Sequence, residues 1–367
     1  MISSSREKPI FLGLMSGTSL DGIDAVAVNF SSKFPQLLGH VFLPYSSELR
    51  KTLSDLCSPG NNEIERAQDV SVELGQLYAQ AVLNLLDADN IPLNRVRAVG
   101  IHGQTIRHQP KKRWSLQLNA PALVAELTGL DVVADFRSRD IAANGEGAPL
   151  VPAFHAAFFS SKTPRAVVNI GGIANVTLLP GSHRFVPITG FDCGPGNTLL
   201  DAWCEKKHGT PFDEAGNWAA TGKVNDSLLA ALLSHPYFAK PSPKSTGREE
   251  FNLSWLESLV TSERDEDVER TLVALTAKTI AKACRGAQEV YLCGGGTKNA
   301  LLVSEIRKEF PSEIRVAFTS ELGIDPMHVE AMAFAWLTWN FFQKKPGNLC
   351  EATHAAGRRI LGALYPH

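Results

Sequence analysis

Three short runs set glycine and small polar residues at the end of an apolar stretch. They are Ser16-Gly17-Thr18-Ser19 after residues 10–14, Gly171-Gly172 after 166–170, and Gly294-Gly295-Gly296 after 289–292. Gly, Ser and Thr at a strand end expose backbone N–H groups and hydroxyls at close range, which suits phosphate oxygens. Taken singly, each is an ordinary hairpin turn; three of them with carboxylates nearby point to a nucleotide cleft. The carboxylates are Asp21, just past the first run, and Asp192, which enters Asp192-Cys193-Gly194-Pro195-Gly196. An Asp beside a turn most often accepts hydrogen bonds from backbone amides. Next to phosphates it can instead hold Mg2+, directly or through water, or act as a base.

Other chemistries lack their residues. The chain has no G-x-x-x-x-G-K-[ST], no G-x-G-x-x-G after a strand and no H-E-x-x-H. Ser16 is not in a G-x-S-x-G elbow, and His328-Val329-Glu330 has no P-C-x-x-C to make a deaminase.

The elements that must position these residues alternate between strand and helix, which favours an α/β architecture. Residues 10–14 and 23–30 read as strands joined by the first turn, with Asp24 in the returning strand. Over 63–89, Ile64, Ala67, Val70, Leu74, Leu77, Ala81 and Leu85 recur at helical spacing. Residues 96–101 read as a buried strand running into His102-Gly103-Gln104-Thr105. Asn119-Ala120-Pro121 opens a helix, Asn as cap and Pro in the first turn, and Gly129 closes it. Residues 166–170 and 175–179 form a second strand pair, and helices are expected over 197–209, over 268–285, from Asn299 and from Asp325-Pro326. Trp336, Trp339, Phe341 and Phe342 on the last of these read as core. The acidic run 262–269 reads as a solvated loop and helix start, and the polar run 240–252, KPSPKSTGREEFN, as a surface loop or a substrate-facing flap. Strand, tight turn and strand recur near the start of each half, which predicts duplicated domains facing each other across a cleft.

With 367 residues the chain exceeds what one hydrophobic core usually spans, so two domains are expected. The near-neutral balance, 36 basic against 38 acidic residues, offers no electrostatic case for nucleic acid or an anionic membrane. Six cysteines without a C-x-x-C pair read as reduced thiols, no apolar run reaches membrane-spanning length, and no targeting pattern precedes the first strand. The expectation is a cytoplasmic protein.

Nine motifs, GLMSGTSLDGID, IHGQT, ADFRSRDIA, GAPLVP, NIGGIANVT, FDCGPGN, KSTGREEFN, LCGGGTKN and GIDP…VEAMAFAW, stand in the order found in anhydro-N-acetylmuramic acid kinases. The chain resembles that family over nearly its whole length. The resemblance implies two ribonuclease-H-like α/β domains around a central cleft, as in actin-like ATPases and sugar kinases. The first is set at residues 1–135 plus about 345–367, and the second at 136–344. It implies an ATP- and Mg2+-dependent enzyme of cell-wall recycling that opens the 1,6-anhydro ring with water while phosphorylating O6, giving N-acetylmuramic acid 6-phosphate.

Carried onto this sequence, Asp192 becomes the base that activates the water. Ser16, Gly17, Thr18 and Ser19 cradle phosphates with Asp21 on the metal side, Gly171, Gly172 and Asn175 form the second phosphate turn, and Gly294, Gly295, Gly296 and Asn299 meet the adenosine. The substrate's lactyl carboxylate needs an anion pocket. The helix start at Asn119-Ala120 and the guanidinium of Arg137 are the candidates, although Arg137 and Arg139 read equally as salt-bridge partners. His102, Gln104, Thr105 and Glu330 are further sugar contacts; by itself His102 reads as a core histidine, and Glu330 reads as a partner of the helix dipole or, in preference, as a contact near the sugar ring. A homodimer is expected, with amino sugar and ATP as the small-molecule partners. Cys193, Asn144-Gly145-Glu146 and Met327-His328 depart from the family pattern, and at Glu146 a carboxylate stands in place of a Gly/Gln-like run. A kinase of the same fold acting on a free sugar, or a nucleotide-sensing module, stand as alternatives.

Overall fold

The computed structural model describes residues 9–181, 186–242 and 244–367; Pro243, inside the polar 240–252 run, lies outside the described residues. The chain divides into two compact units, Met1–Phe154 with Glu330–His367, and His155–Val329.

In the first unit the apolar run that ends at the first turn is β1 (Ile10–Met15). It is buried along its length and therefore sits mid-sheet. β2 (Gly22–Asn29) returns antiparallel to it, and β3 (Gln36–Pro44), which the sequence reading did not anticipate, continues the meander. β4 (Val96–Ile101) lies parallel to β1. β5 (Gln104–Gln109) and β6 (Trp114–Leu118) form a separate hairpin. β7 (Val132–Ala134) runs parallel to β4, and the final strand, β13 (Ala363–Tyr365), closes that edge antiparallel. The order is β13-β7-β4-β1-β2-β3. The helix Glu63–Ala88 has the expected span and buries Leu74, Tyr78 and Val82 against Ile10, Leu12 and Leu14.

The second unit repeats the plan. β8 (Arg165–Ile170), β9 (Ile173–Leu179) and β10 (Thr189–Pro195) form an antiparallel meander, and β11 (Glu289–Cys293) and β12 (Arg315–Phe318) add parallel strands beyond β8. The order β10-β9-β8-β11-β12 matches β3-β2-β1-β4-β7 strand for strand. Each unit thus has the ribonuclease-H-like order, and the expected duplication extends well past the two hairpins. The helix Asp265–Ala283 packs Leu272, Leu275 and Ile280 on Val168 and Ile170.

Four expectations shift. Residues 136–154 and 330–344 belong with the first unit, whereas the sequence reading set them in the second. The cause is close packing of the helix Val329–Phe342 on the first sheet. A Cβ at Gly13 of β1 would strike Ala331 O and Ala335 N, and one at Gly100 of β4 would strike Thr338 Oγ1 and Phe334 O. That helix starts later than Asp325, which instead caps the turn before it by accepting from Met327 N–H at 2.8 Å. Ala120, not Asn119, holds the cap position of the helix Pro121–Thr128, with no side-chain hydrogen bond, while Gly129 closes it with φ +65°. The acidic run 262–269 is not all solvated: Glu269 is 0% exposed and neither carboxylate oxygen has a hydrogen-bond partner.

Candidate active site

In the first turn, two successive carbonyls are pinned inward. Ser16 O accepts from Nδ1 of His102 at 3.3 Å. Gly17 O accepts from Nε2 of Gln104 at 3.0 Å and from Leu20 N–H at 3.2 Å. A planar trans peptide points its C=O and the following N–H in opposite directions. The N–H groups of Gly17 and Thr18 therefore face away from His102 and Gln104, as an anion cradle requires. The side chain of Ser16 is not part of that face: it is 1% exposed, and its hydroxyl and that of buried Tyr78 hydrogen-bond each other at 2.6 Å.

Asp21 follows the turn with its side chain exposed, and its carbonyl accepts from Tyr45 N–H at 2.9 Å. The chain packed around it raises its carboxyl above the ordinary 3.8, and Asp24 adds to the effect. Asp24 itself meets Nε2 of His40 at 3.1 Å, within the meander.

His102, 4% exposed, has a partner on each ring nitrogen, since Nε2 accepts from Nη2 of Arg137 at 2.7 Å. Arg137 also donates from Nη1 to Gly147 O at 2.7 Å, and its Nε is buried without a partner. Burial lowers the Arg137 pKa to about 10, against the opposing pull of Glu330 and Asp140. Asp140 organises the adjoining loop: it accepts from Gly147 N–H at 2.8 Å, from Asn348 at 2.6 Å and from Thr353 at 2.8 Å. Gln104 is fully buried and its Oε1 has no partner. Thr105 accepts from Gln117 at 3.1 Å, and Asn119 lies against Gly103, where a Cβ would meet its Nδ2. Glu146, at the departing loop, meets His354 Nδ1 at 3.2 Å.

In the second unit the same device recurs. Gly171 O accepts from Asn197 N–H at 2.9 Å, and Gly172 O from Gly196 N–H at 2.9 Å and Thr198 N–H at 3.0 Å. The N–H of Gly172 therefore faces the other way. Asn175 stands directly opposite Asp192 across β9 and β10, and opposite Asn169 across β8 and β9. Asn169, Asn175 and Asp192 thus share one face of the sheet. Asn169 is buried, its Oδ1 has no partner, and a Cβ at Gly294 would strike that oxygen. One polar row therefore links the carboxylate to the third glycine turn.

That third turn is shaped by packing at two of its glycines. Gly294 has φ +85° and donates to Pro326 O at 2.9 Å, while a Cβ at Gly296 would strike Ile170. At Gly295 a Cβ would meet nothing, so the backbone is open there. The Asn299 side chain caps the next helix, Oδ1 accepting from Leu302 N–H at 3.0 Å.

The polar 240–252 run clasps Asp192. Thr246 N–H donates to Asp192 Oδ2 at 3.0 Å, Asp192 N–H donates to Lys244 O at 3.0 Å, and the Tyr237 hydroxyl donates to Asp192 O at 2.7 Å. Thr246 Oγ1 in turn donates to Glu250 at 2.7 Å. Cys193, beside Asp192, is buried, and burial pushes its thiol far above the ordinary range. Sequence reasoning missed Asn169, Tyr78 and Thr246. A lone amide within AVVNI was the available signal for the first; Tyr78 had none, and Thr246 lay in a segment noted only as a whole.

Comparison with known proteins gives a consistent picture. The family model described as anhydro-N-acetylmuramic acid kinase matches residues 9–367. A relative of that name from Pseudomonas paraeruginosa is 50% identical over 367 residues, covering 98% of this chain and 99% of its own. One from Nitrosomonas europaea is 50% identical over 364 residues, covering 97% and 99%. One from Burkholderia cenocepacia is 47% identical over 369 residues, covering 97% and 96%.

Proposed function

The chain belongs to the anhydro-N-acetylmuramic acid kinase family, and from that premise we propose that it transfers the γ-phosphoryl group of ATP to O6 of 1,6-anhydro-N-acetylmuramic acid while water opens the anhydro ring. The observation that carries the reading is the fixed carboxylate of Asp192, held by Thr246 N–H in one row with Asn175 and Asn169. A carboxylate so held fits a general base. Water loses a proton to Asp192 and attacks the anomeric carbon. The bond from that carbon to O6 breaks, and O6 attacks the γ-phosphorus as the bond to ADP breaks. The products are N-acetylmuramic acid 6-phosphate and ADP.

The two pinned turns fit phosphate oxygens, because their N–H groups face away from the carbonyl partners. In the first unit Gly17, Thr18 and Ser19 would take phosphate oxygens, with the inward Ser16 shaping the turn; in the second unit Gly172 with Asn175 would do so. The open Gly295 and its neighbours would meet the adenosine. Mg2+, when bound, neutralises charge on the phosphates. No three His, Cys, Asp or Glu cluster to hold a metal among the described residues. Asp21 would therefore supply a single carboxylate, directly or through water, beside the nucleotide's own oxygens. Desolvation by the surrounding chain raises its carboxyl above the ordinary value, and bound Mg2+ would favour the ionised form. Arg137, with its unpartnered Nε, would pair the lactyl carboxylate, near Asn119, Ala120, Thr105 and Glu330.

No helix of the described residues is long and apolar enough to cross a membrane. A cytoplasmic homodimer serving peptidoglycan recycling completes the proposal, its oligomeric part open to light scattering. The decisive assay is coupled ADP release. It should require both Mg2+ and the anhydro sugar, and Asp192→Asn should lower turnover by about 10²–10⁴ with ATP binding retained. Near-normal turnover of that variant, or faster phosphorylation of N-acetylmuramic acid or N-acetylglucosamine, refutes the assignment.

A further inference from the structure

The shape of the first turn depends on a residue that sequence reasoning placed with the sugar contacts. We propose that His102 is a positioning residue that carries the charge of Arg137 to the Ser16–Gly17 turn, so that the sugar's anion site and the grip on the nucleotide's phosphates are coupled through one imidazole. This deepens the kinase reading above and rests on it.

The geometry assigns the imidazole's proton. A carbonyl can only accept, so Nδ1 carries the hydrogen that reaches Ser16 O at 3.3 Å. A guanidinium can only donate, so Nε2 carries the lone pair facing Arg137 Nη2 at 2.7 Å. Both nitrogens are thereby committed within the fold, and the side chain is 4% exposed. A proton added at Nε2 would face an N–H of a cation. Burial, and then the Arg137 charge, accordingly hold the His102 pKa well below 6.5. His102 is therefore a fixed neutral relay that neither shuttles protons nor binds sugar oxygens.

The relay has direction. A cation donating to Nε2 withdraws electron density from the ring and makes Nδ1–H a stronger donor. That hydrogen bond keeps Ser16 O inward and Gly17 N–H outward. The next peptide is held separately, by Gln104 and Leu20 on Gly17 O. Arg137 touches neither peptide; beyond His102 it meets Gly147 O, through Nη1, and the charges of Glu330 and Asp140, and its own charge helps hold the His108 imidazole neutral, the pKa there lowered to about 4 by burial first. Its unpartnered, buried Nε is the atom left for an anionic ligand. Whatever changes the guanidinium therefore reaches the turn through His102.

A double-mutant cycle read in ATP affinity tests this, with calorimetric titration of ATP in the absence of sugar. His102→Asn keeps an amide donor where Nδ1 stood but offers Arg137 no ring acceptor. His102→Ala removes both. One lost hydrogen bond corresponds to roughly tenfold in affinity, so His102→Ala should weaken ATP about tenfold and His102→Asn about two- to threefold. Arg137→Ala should weaken ATP about two- to threefold in the parent, although it lies outside the turn, and have no further effect in the His102→Asn background. Added imidazole should restore part of the His102→Ala loss, a readout that a merely structural defect would not give. If His102→Ala fails to fold, the Arg137→Ala and His102→Asn pair decides alone. Unchanged ATP affinity in Arg137→Ala, or effects that multiply in the double variant, overturns the relay. A parent protein that does not bind ATP sinks the kinase reading and the relay together. ATP binding with independent variants sinks the relay alone.

Discussion

The backbone N–H of Thr246 donates to Oδ2 of Asp192 across 3.0 Å, joining the polar 240–252 run to the carboxylate at the end of the second meander. A main-chain donor cannot swing away as a side chain can, so it sets the carboxylate's direction as well as its charge. Thr246→Pro removes that donor and should lower kcat about tenfold with little change in KM for ATP. Thr246→Ala keeps the N–H and should stay within about threefold of the parent. Steady-state kinetics on both variants checks this; parental kcat in Thr246→Pro would mean that the loop only covers Asp192.

Asn299 has two readings that one series separates. Its Oδ1 caps the helix Ala300–Lys308, and the family resemblance puts it near the adenosine. Asn299→Ala should lose about 1 kcal/mol of stability, which Asn299→Asp should recover because a carboxylate caps equally well. If the cap is its whole role, ATP affinity in Asn299→Asp stays at the parental value. A raised KM for ATP with parental stability assigns it to the nucleotide as well.

Much of this fold is legible from residues close in sequence. Strand, glycine turn and strand lie within about twenty residues in each half, so local pattern suffices to find both hairpins. β3 escaped because its run, QLLGHVFLP, neither alternates nor stays apolar: Leu37, Leu38 and Phe42 are exposed at the sheet edge while Gly39 is buried. The match in strand order appears only once β4, β7, β11 and β12 have paired across long connections that carry the helices. In the site, the turns were legible and their orientation was not. His102 and Gln104 act on carbonyls 86 and 87 positions away, and Thr246 acts on a carboxylate 54 positions away. No local spacing encodes such contacts.

Gly13 and Gly17 are four residues apart and should respond oppositely to a methyl group. At Gly13 a Cβ strikes the backbone of the helix Val329–Phe342, which cannot step aside as a flexible side chain would. Gly13→Ala should cost about 2 kcal/mol, or roughly 4–8 °C in Tm. At Gly17 the nearest atom to a Cβ is Ser19 N at 4.0 Å, so Gly17→Ala should keep its Tm within about 1–2 °C. Any loss of ATP affinity in that variant then belongs to the turn itself. Equal melting of the two variants would refute the packing of the helix on β1.

Glu269 makes stability depend on pH in a sense opposite to that of most carboxylates. Burial pushes its pKa well above 4.5, and the charges of Asp213 and Asp201 add to the shift. Cys204 is the further titratable neighbour, and the adjacent Arg270 is engaged with Glu305 at 2.9 Å. The folded state therefore holds the proton that the unfolded chain releases near 4.5. Its contribution is fully present below that pH and is lost progressively as pH rises toward the folded-state value. Glu269→Gln preserves the shape of the neutral acid and cannot ionise. It should be close to neutral in urea unfolding at pH 5 and stabilise the protein by about 1–3 kcal/mol at pH 8. The same loss of stability at both pH values would mean that the carboxyl has a partner and is charged in the fold.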